Sequence, residues 1–302
     1  TKLLSDYPLV TQVSRGSEAT VQTLLPDQLP TRRVIQVELH MDQQDGPTPK
    51  MLERVISAAK NGARVGLIFN TVDAAQYTAL ELRTQTQVPV DLFHSRYMFC
   101  DRQKCELEVM EKFGPQADHK LGRILVATQV VEQSLDLDFD WLVTEICPID
   151  LLFQRVGRLH RHLIVNRPSG FEMPKVSVLI SQEHNYGVTG LIYGDLRLLW
   201  RTQKMLEACE GKILFPDAFR SWVEKVYQAK AWGDEPEEIQ KAHEEFVRDQ
   251  SAREYKAKQL IDQYMNPLDD ADERVAVLTR DGEMQFSVLL QNANGELLTN
   301  GD

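Results

Sequence analysis

The chain has 302 residues, 42% of them hydrophobic and 26% charged, which suits a folded globular protein and excludes a disordered tail or a collagen-like repeat. No apolar run approaches the roughly 20 residues that a bilayer-spanning helix needs, so contact with a membrane is not expected. With 34 basic against 45 acidic side chains the net charge is −11, so nucleic acid would have to be met by a local basic patch or by backbone amides.

From residue 34 to residue 180 short apolar runs alternate with helical patterns. Strands are expected at 34–39, 64–69, 90–93, 123–127, 141–144 and 175–180. Thr48 before Pro49 starts a helix that carries Leu52, Val55, Ile56 and Ala59 on one face and stops at Gly62. Asn70-Thr71 reads as a turn and cap for a helix over 72–82. Asp101 is expected to cap a third helix, with Leu107, Met110 and Phe113 running up to Gly114. Strands and helices alternating in this way make an α/β fold, a doubly wound parallel sheet covered on both faces, whose function gathers in loops beyond the strands' carboxyl ends. After residue 181 helices are expected over 191–209 and 217–229, the latter with Phe219, Trp222, Val223, Val226 and Tyr227 on one stripe. Residues 234–273 hold 13 acidic against five basic side chains and read as solvated helix and linker. From Arg274 the period drops to two around Asp281-Gly282, which predicts a hairpin opening a small β-containing domain.

The four cysteines, Cys100, Cys105, Cys147 and Cys209, form no CxxC pair, so buried thiols in a reducing, cytoplasmic protein are expected. The chain opens on Thr1 without a signal or transit peptide and reads as part of something longer.

Three segments at strand ends carry chemistry. Asn70-Thr71 is the first, with its capping reading beside any functional one. The second, residues 124–140, ends a strand in Thr128-Gln129, makes a short helical turn and passes through Asp136. A polar crossover between two buried strands would look the same. The third, QRVGRLHRH at 154–162, places Gln154, Arg155, Arg158 and Arg161 on one helical surface, if the helix capped by Asp150 runs that far. No acidic residue interrupts 153–170, so this is the local basic patch, and fixed guanidinium forks suit phosphate oxygens. Its bland reading is a solvated basic face, and a metal at His160 and His162 is a minor alternative.

Together these segments resemble the second RecA-like lobe of a superfamily 2 helicase, with motifs IV, V and VI in order. The wording DLFHSRYMFCDR (91–102), RILVATQVVEQSLDLDFDWLVT (123–144) and CPIDLLFQRVGRLHRH (147–162) resembles one branch, the CRISPR-associated helicase-nuclease of type I interference systems. RPSGFEMP (167–174, expected helical), YGDLRLLWRTQ (193–203), AVLTRDGEM (276–284) and YPLVT (7–11) fit the same branch. The resemblance implies a division into a lead-in from the first lobe at 1–30, the second RecA-like lobe at 31–185, a helical linker at 186–265 and the start of a truncated carboxy-terminal domain at 266–302.

The resemblance also implies roles. ATP would sit between two lobes, with Arg158 and Arg161 reaching its γ-phosphate as the catalytic arginines. Asp136 would lie near the ribose, and Gln154, Arg155 and Gly157 would belong to the ATP-binding group, with Gln154 and Arg155 coupling nucleotide to DNA. Asn70, Thr71, Thr128 and Gln129 would contact the phosphates of single-stranded DNA, and His94 and Arg96 would help to position the strand. No GxxxxGK[ST], no DExD/H-type motif and no adjacent His-Asp occurs in the chain. Magnesium and most contacts to ATP are therefore assigned to an absent first lobe, and a divalent transition metal to an absent nuclease domain. Expected partners are those two domains, single-stranded DNA and the type I CRISPR surveillance complex. A lobe of another superfamily 2 helicase and a non-catalytic adaptor of a split system are the competing readings.

Overall fold

The computed structural model describes residues 9–12, 20–23, 32–42, 46–97, 99–118, 121–132, 135–164, 166–181 and 184–263. The hairpin expected after Arg274 lies outside these residues, as do Gln133 and Ser134 of the second segment. Strands β1 (Leu9–Gln12) and β2 (Thr20–Thr23) form a small antiparallel sheet in the stretch read only as a lead-in. The main sheet has seven strands. They are β3 (Arg33–Asp42), β4 (Arg64–Ile68), β5 (Val90–Phe93), β6 (Arg123–Ala127), β7 (Trp141–Glu145), β8 (Lys175–Ser181) and β9 (Lys212–Phe215), in the order β5-β6-β4-β7-β8-β3-β9. All neighbours run parallel except β3 and β9, so the α/β sheet is as expected with one antiparallel edge strand added.

Both faces of the sheet are buried, which is why the strands read as continuous apolar runs rather than alternations. Val65, Leu67, Ile124, Val126, Trp141 and Val143 turn to one face, beneath α1 (Pro49–Lys60) and α2 (Val72–Gln85). Ile68, Leu125, Ala127 and Leu142 turn to the other, beneath α3 (Phe99–Phe113) and α4 (Ile149–Val156). The Thr48 hydroxyl caps α1 by accepting from the Met51 amide at 3.3 Å, and Gly62 just beyond it has φ +94°. Gly122 is required by a close approach: a Cβ there would stand 1.8 Å from the Ala59 carbonyl oxygen. Helix α3 starts at Phe99, so Asp101 lies in its first turn rather than at its cap, and it buries Val109 and Phe113 while Leu107 stays exposed.

The chain beyond β8 is not only a linker. Helix α5 (Gly187–Tyr193) ends at Gly194, φ +73°, and α6 (Leu196–Glu207) starts afresh from the Asp195 cap, so one expected helix is two. Leu199 and Trp200 of α6 join the core, and β9 completes the sheet. Helix α7 (Ala218–Val226) packs Phe219, Trp222 and Val223 on the same core. Arg201, fully enclosed, then ties α6 to the following turn. Its Nη1 donates to the Val226 and Gln228 carbonyls at 2.8 and 2.6 Å, and its Nη2 to Lys230 O and Glu235 Oε2, both at 2.9 Å. Glu235, expected in a solvated stretch, is thereby buried, and α8 (Glu237–Gln263) buries Ile239 at its start and is exposed over most of its remaining length. Residues 167–174 form turns rather than the expected helix, because Arg167 is drawn into ion pairs with Asp138 and Asp140, both at 2.8 Å. Cys147 is buried and its thiol is pushed up to about 12 by burial, while Cys105 and Cys209 are half-buried. Among the described residues no helix is long and apolar enough to cross a membrane, and no cluster of side chains is arranged to hold a metal ion.

Candidate functional site

Strands β5, β6, β4 and β7 are adjacent, so the loops at their carboxyl ends lie side by side. They deliver His94, Thr128, Asn70 and Glu145 to one edge of the sheet. Thr71 caps α2, its hydroxyl accepting from the Ala74 amide at 3.1 Å, so the capping reading of this residue is the one seen. Thr128 opens a 3₁₀ turn, Gln129–Glu132, the short helical turn expected there.

Arg155 organises this edge from α4. It is 0% exposed, and a guanidinium so buried is tolerable only when paired and fully hydrogen-bonded. Nε donates to Glu132 Oε1 at 2.7 Å, and Nη1 to the Thr144 hydroxyl at 2.7 Å and the Glu145 carbonyl at 3.2 Å. Nη2 donates to Asn70 Oδ1 at 3.1 Å and to the Tyr193 hydroxyl oxygen at 3.0 Å. Every N–H of the fork is thus used. Burial pushes the Glu132 carboxyl above its ordinary range, with the Arg155 charge pulling the other way. The Asn70 carboxamide also donates to Ile146 O at 2.9 Å and the Thr189 hydroxyl at 3.2 Å, and its backbone amide donates to the Glu145 carboxylate. Gln129 Nε2 donates to the Asn70 carbonyl at 2.8 Å.

Arg158 and Arg161, the arginines expected to reach the γ-phosphate, do not share a helical face with Arg155. Helix α4 has only eight residues, begins at Pro148 without a side-chain cap, and gives way at Gly157. Asp150 instead accepts from the Tyr227 hydroxyl at 2.6 Å. Beyond Gly157 the chain is pulled toward the lead-in to β7: Phe139 N donates to Arg158 O at 2.9 Å, and His160 N to Phe139 O at 3.1 Å. This bridging leaves His160 at φ +45° and turns Arg158 and Arg161 onto a loop. Arg158 is 8% exposed; its Nη2 donates to the Glu132 carbonyl at 3.0 Å and its Nε has no partner among the described residues. Burial, then the Arg161 charge, holds its pKa below the usual value. Arg161 and Asp136 are 41% and 39% exposed, with Nε 2.5 Å from Oδ1 in an ion pair not aligned as a hydrogen bond. His162 Nε2 lies 3.2 Å from the same oxygen.

The expected site residues therefore separate by depth. Asn70, His94, Thr128 and Arg155 are buried; Thr71, Gln129, Asp136 and Gly157 are half-exposed; Arg96, Gln154 and Arg161 face solvent. His94 is stacked on Tyr97 with ring centroids 4.3 Å apart, and its Nδ1 accepts from the Arg96 amide at 3.2 Å. Burial holds its ring below the ordinary histidine pKa. Arg96 pairs with Asp73 at 2.7 Å on the surface. Arg155 has no surface with which to bind ATP directly; its place is between the loops. Sequence reasoning missed Glu132, Thr144, Glu145 and Tyr193. One signal was available, since Arg155 lies between Leu152 and Val156 on the buried stripe of α4.

Residues 61–163 match the family model described as CRISPR-associated nuclease/helicase Cas3, C-terminal. The CRISPR-associated endonuclease/helicase Cas3 of Escherichia coli (strain K12) is 43% identical over 306 aligned residues, covering 98% of this chain and 34% of that protein. The chain belongs to the Cas3 family. It spans about a third of the length of that Cas3 protein. The T. fusca Cas3-ATP crystal structure superposes with a TM-score of 0.70 at 27% identity, over 82% of this chain and 30% of that one. A match of similar quality, TM-score 0.67 at 27% identity, over 82% of this chain and 32% of the other, occurs in a structure described as a CRISPR RNA-guided surveillance complex, pre-nicking.

Proposed function

We propose that this chain is the second motor lobe of an ATP-driven single-stranded-DNA translocase acting in type I CRISPR interference. The observation that carries the reading is the placement of Arg158 and Arg161: two guanidinium groups on one loop, Arg161 paired with Asp136, and an Arg158 Nε without a partner among the described residues. That surplus of positive charge fits the γ-phosphate of ATP presented from a facing lobe, which would supply the phosphate loop. It does not fit magnesium, because Asp136 is already neutralised by Arg161 and approached by His162. Magnesium ligation therefore belongs to the facing lobe, and a nuclease metal to a further domain. In this reading residues 1–30 lead in from the first lobe, 186–265 complete the lobe's sheet and core before linking onward, and 266–302 begin a carboxy-terminal domain.

On the loop edge Thr71, Gln129 and Arg96 are the groups open to a DNA strand, while Asn70, His94 and Thr128 support them from behind. Such contacts address phosphates and are insensitive to base sequence. The complete protein is then a helicase with an associated nuclease, and the surveillance complex its partner.

Two results test this. The pure 302-residue chain is expected to hydrolyse ATP only at background, with or without single-stranded DNA, because it contains no phosphate-loop motif. Strand-stimulated turnover by this chain alone would overturn the two-lobe reading. In the full-length protein Arg96→Ala should raise the strand concentration for half-maximal ATPase stimulation severalfold at every base composition. It should also reduce the slope of log affinity against log salt by about one ion. An unchanged salt slope would remove Arg96 from the strand contact.

A further inference from the structure

Tyr193 lies outside all three loop segments, at the end of α5, yet its hydroxyl sits inside the Arg155 network. It donates to Asn70 Oδ1 at 2.9 Å and accepts from Arg155 Nη2 at 3.0 Å, while Arg155 Nη2 also donates to Asn70 Oδ1 at 3.1 Å. The three groups close a ring of hydrogen bonds. Helix α5 holds the other end of the same carboxamide too, through the Thr189 hydroxyl. The position of α5 is itself constrained, since Gly194 at its end packs so closely on Phe246 of α8 that a Cβ would come within 2.8 Å of the ring.

From Asn70 the bonds run in two directions. One leads outward, through the Asn70 carbonyl to Gln129 on the loop edge. The other leads through Arg155 Nε to the Glu132 carboxylate, and from the Glu132 carbonyl to Arg158 Nη2. A continuous set of hydrogen bonds thus joins the strand-facing loop to the arginine assigned to the γ-phosphate, with Asn70 at the branch and Tyr193 fixing its orientation.

We infer that Tyr193 is a positioning residue, which makes the response of Arg158 to an occupied loop edge depend on a helix outside the helicase motifs. The inference rests on the motor reading above. Tyr193 touches neither DNA nor ATP in that reading, so its loss changes how well the loop and the arginine are coupled rather than how tightly either ligand binds. Arg155 and Asn70 keep their direct bond in Tyr193→Phe, while one Arg155 N–H loses its acceptor.

The test is a titration of ATPase rate against single-stranded DNA in the full-length protein, with Tyr193→Phe, Thr189→Val and Arg158→Ala in parallel. The loss of one hydrogen bond to a charged network should lower the maximum stimulated rate of Tyr193→Phe about fivefold. The basal rate and the half-maximal strand concentration should stay near those of wild type, while the melting temperature falls by a few degrees for the one Arg155 N–H left without an acceptor. Thr189→Val should change the ratio of stimulated to basal rate in the same direction by less, and it carries the test if Tyr193→Phe does not fold. A wild-type ratio in both variants overturns the inference, as does a proportional fall of basal and stimulated rates, which marks a purely structural role. Wild-type hydrolysis by Arg158→Ala overturns the motor reading instead.

Discussion

In the full-length protein, Arg158→Ala and Arg161→Ala are each expected to reduce DNA-stimulated ATP hydrolysis by roughly 10³–10⁵, the range of arginine fingers. In the proposed motor ATP binding should change little, because a phosphate loop of the facing lobe would provide most of the ground-state contacts and the arginines would act on charge developed in the transition state. Arg158 is already held in place by the Glu132 carbonyl, so in the proposed motor it would meet the phosphate with its orientation set. Arg161 must first leave Asp136, an exchange its exposure makes inexpensive in free energy. Asp136→Asn should therefore leave binding intact and shift activity far less than either arginine. Single-turnover hydrolysis alongside equilibrium binding of a nucleotide analogue separates the two effects. A variant that hydrolyses at the wild-type rate does not lack a finger.

The second large effect is on stability. Arg155→Ala strands the Glu132 carboxylate and the carbonyl and carboxamide oxygens around it in a buried site. Breaking a buried pair from one side costs about 3–5 kcal/mol, which for a chain of this size lowers the melting temperature by on the order of 10 °C. Arg155→Lys should rescue little of it, since an ammonium offers three donors from one point while five acceptors surround the fork. Arg161→Ala is the control: its pair is exposed, so melting should hardly move. Equal melting of the Arg155 and Arg161 variants would show that the buried network does not support the lobe.

The Arg155 and Arg161 contrast also shows where sequence reading stops. Both arginines stand in one short basic run, which reads as a single cationic helix face if the helix extends that far. The run holds no acidic residue because its partners come from elsewhere in the chain: Glu132 for Arg155, Asp136 for Arg161 and Asp138 with Asp140 for Arg167. Local charge spacing cannot reveal ion pairs across such separations. Nor can it reveal that Phe139 pulls the chain off the helix after Gly157. Strand β9 was missed for a similar reason, since Lys212–Phe215 is four residues long and only its pairing with β3 makes it a strand.

By itself the sequence determined the six parallel strands, the caps of α1 and α2, the α/β class and the loops where the site gathers. Each follows from local preference: apolar runs bounded by turn residues, a hydroxyl before a helix, a glycine after it. Tertiary structure decided which polar groups of those loops are buried and which face solvent. It placed Thr128 at 1% exposure and Gln129 half in solvent, although the two are adjacent. It also brought Tyr193 to Asn70 across 123 positions of chain. The physical reason is the burial of Arg155. A charged fork inside the lobe must find an acceptor for every donor, and those acceptors come from four elements that meet only when the sheet is assembled.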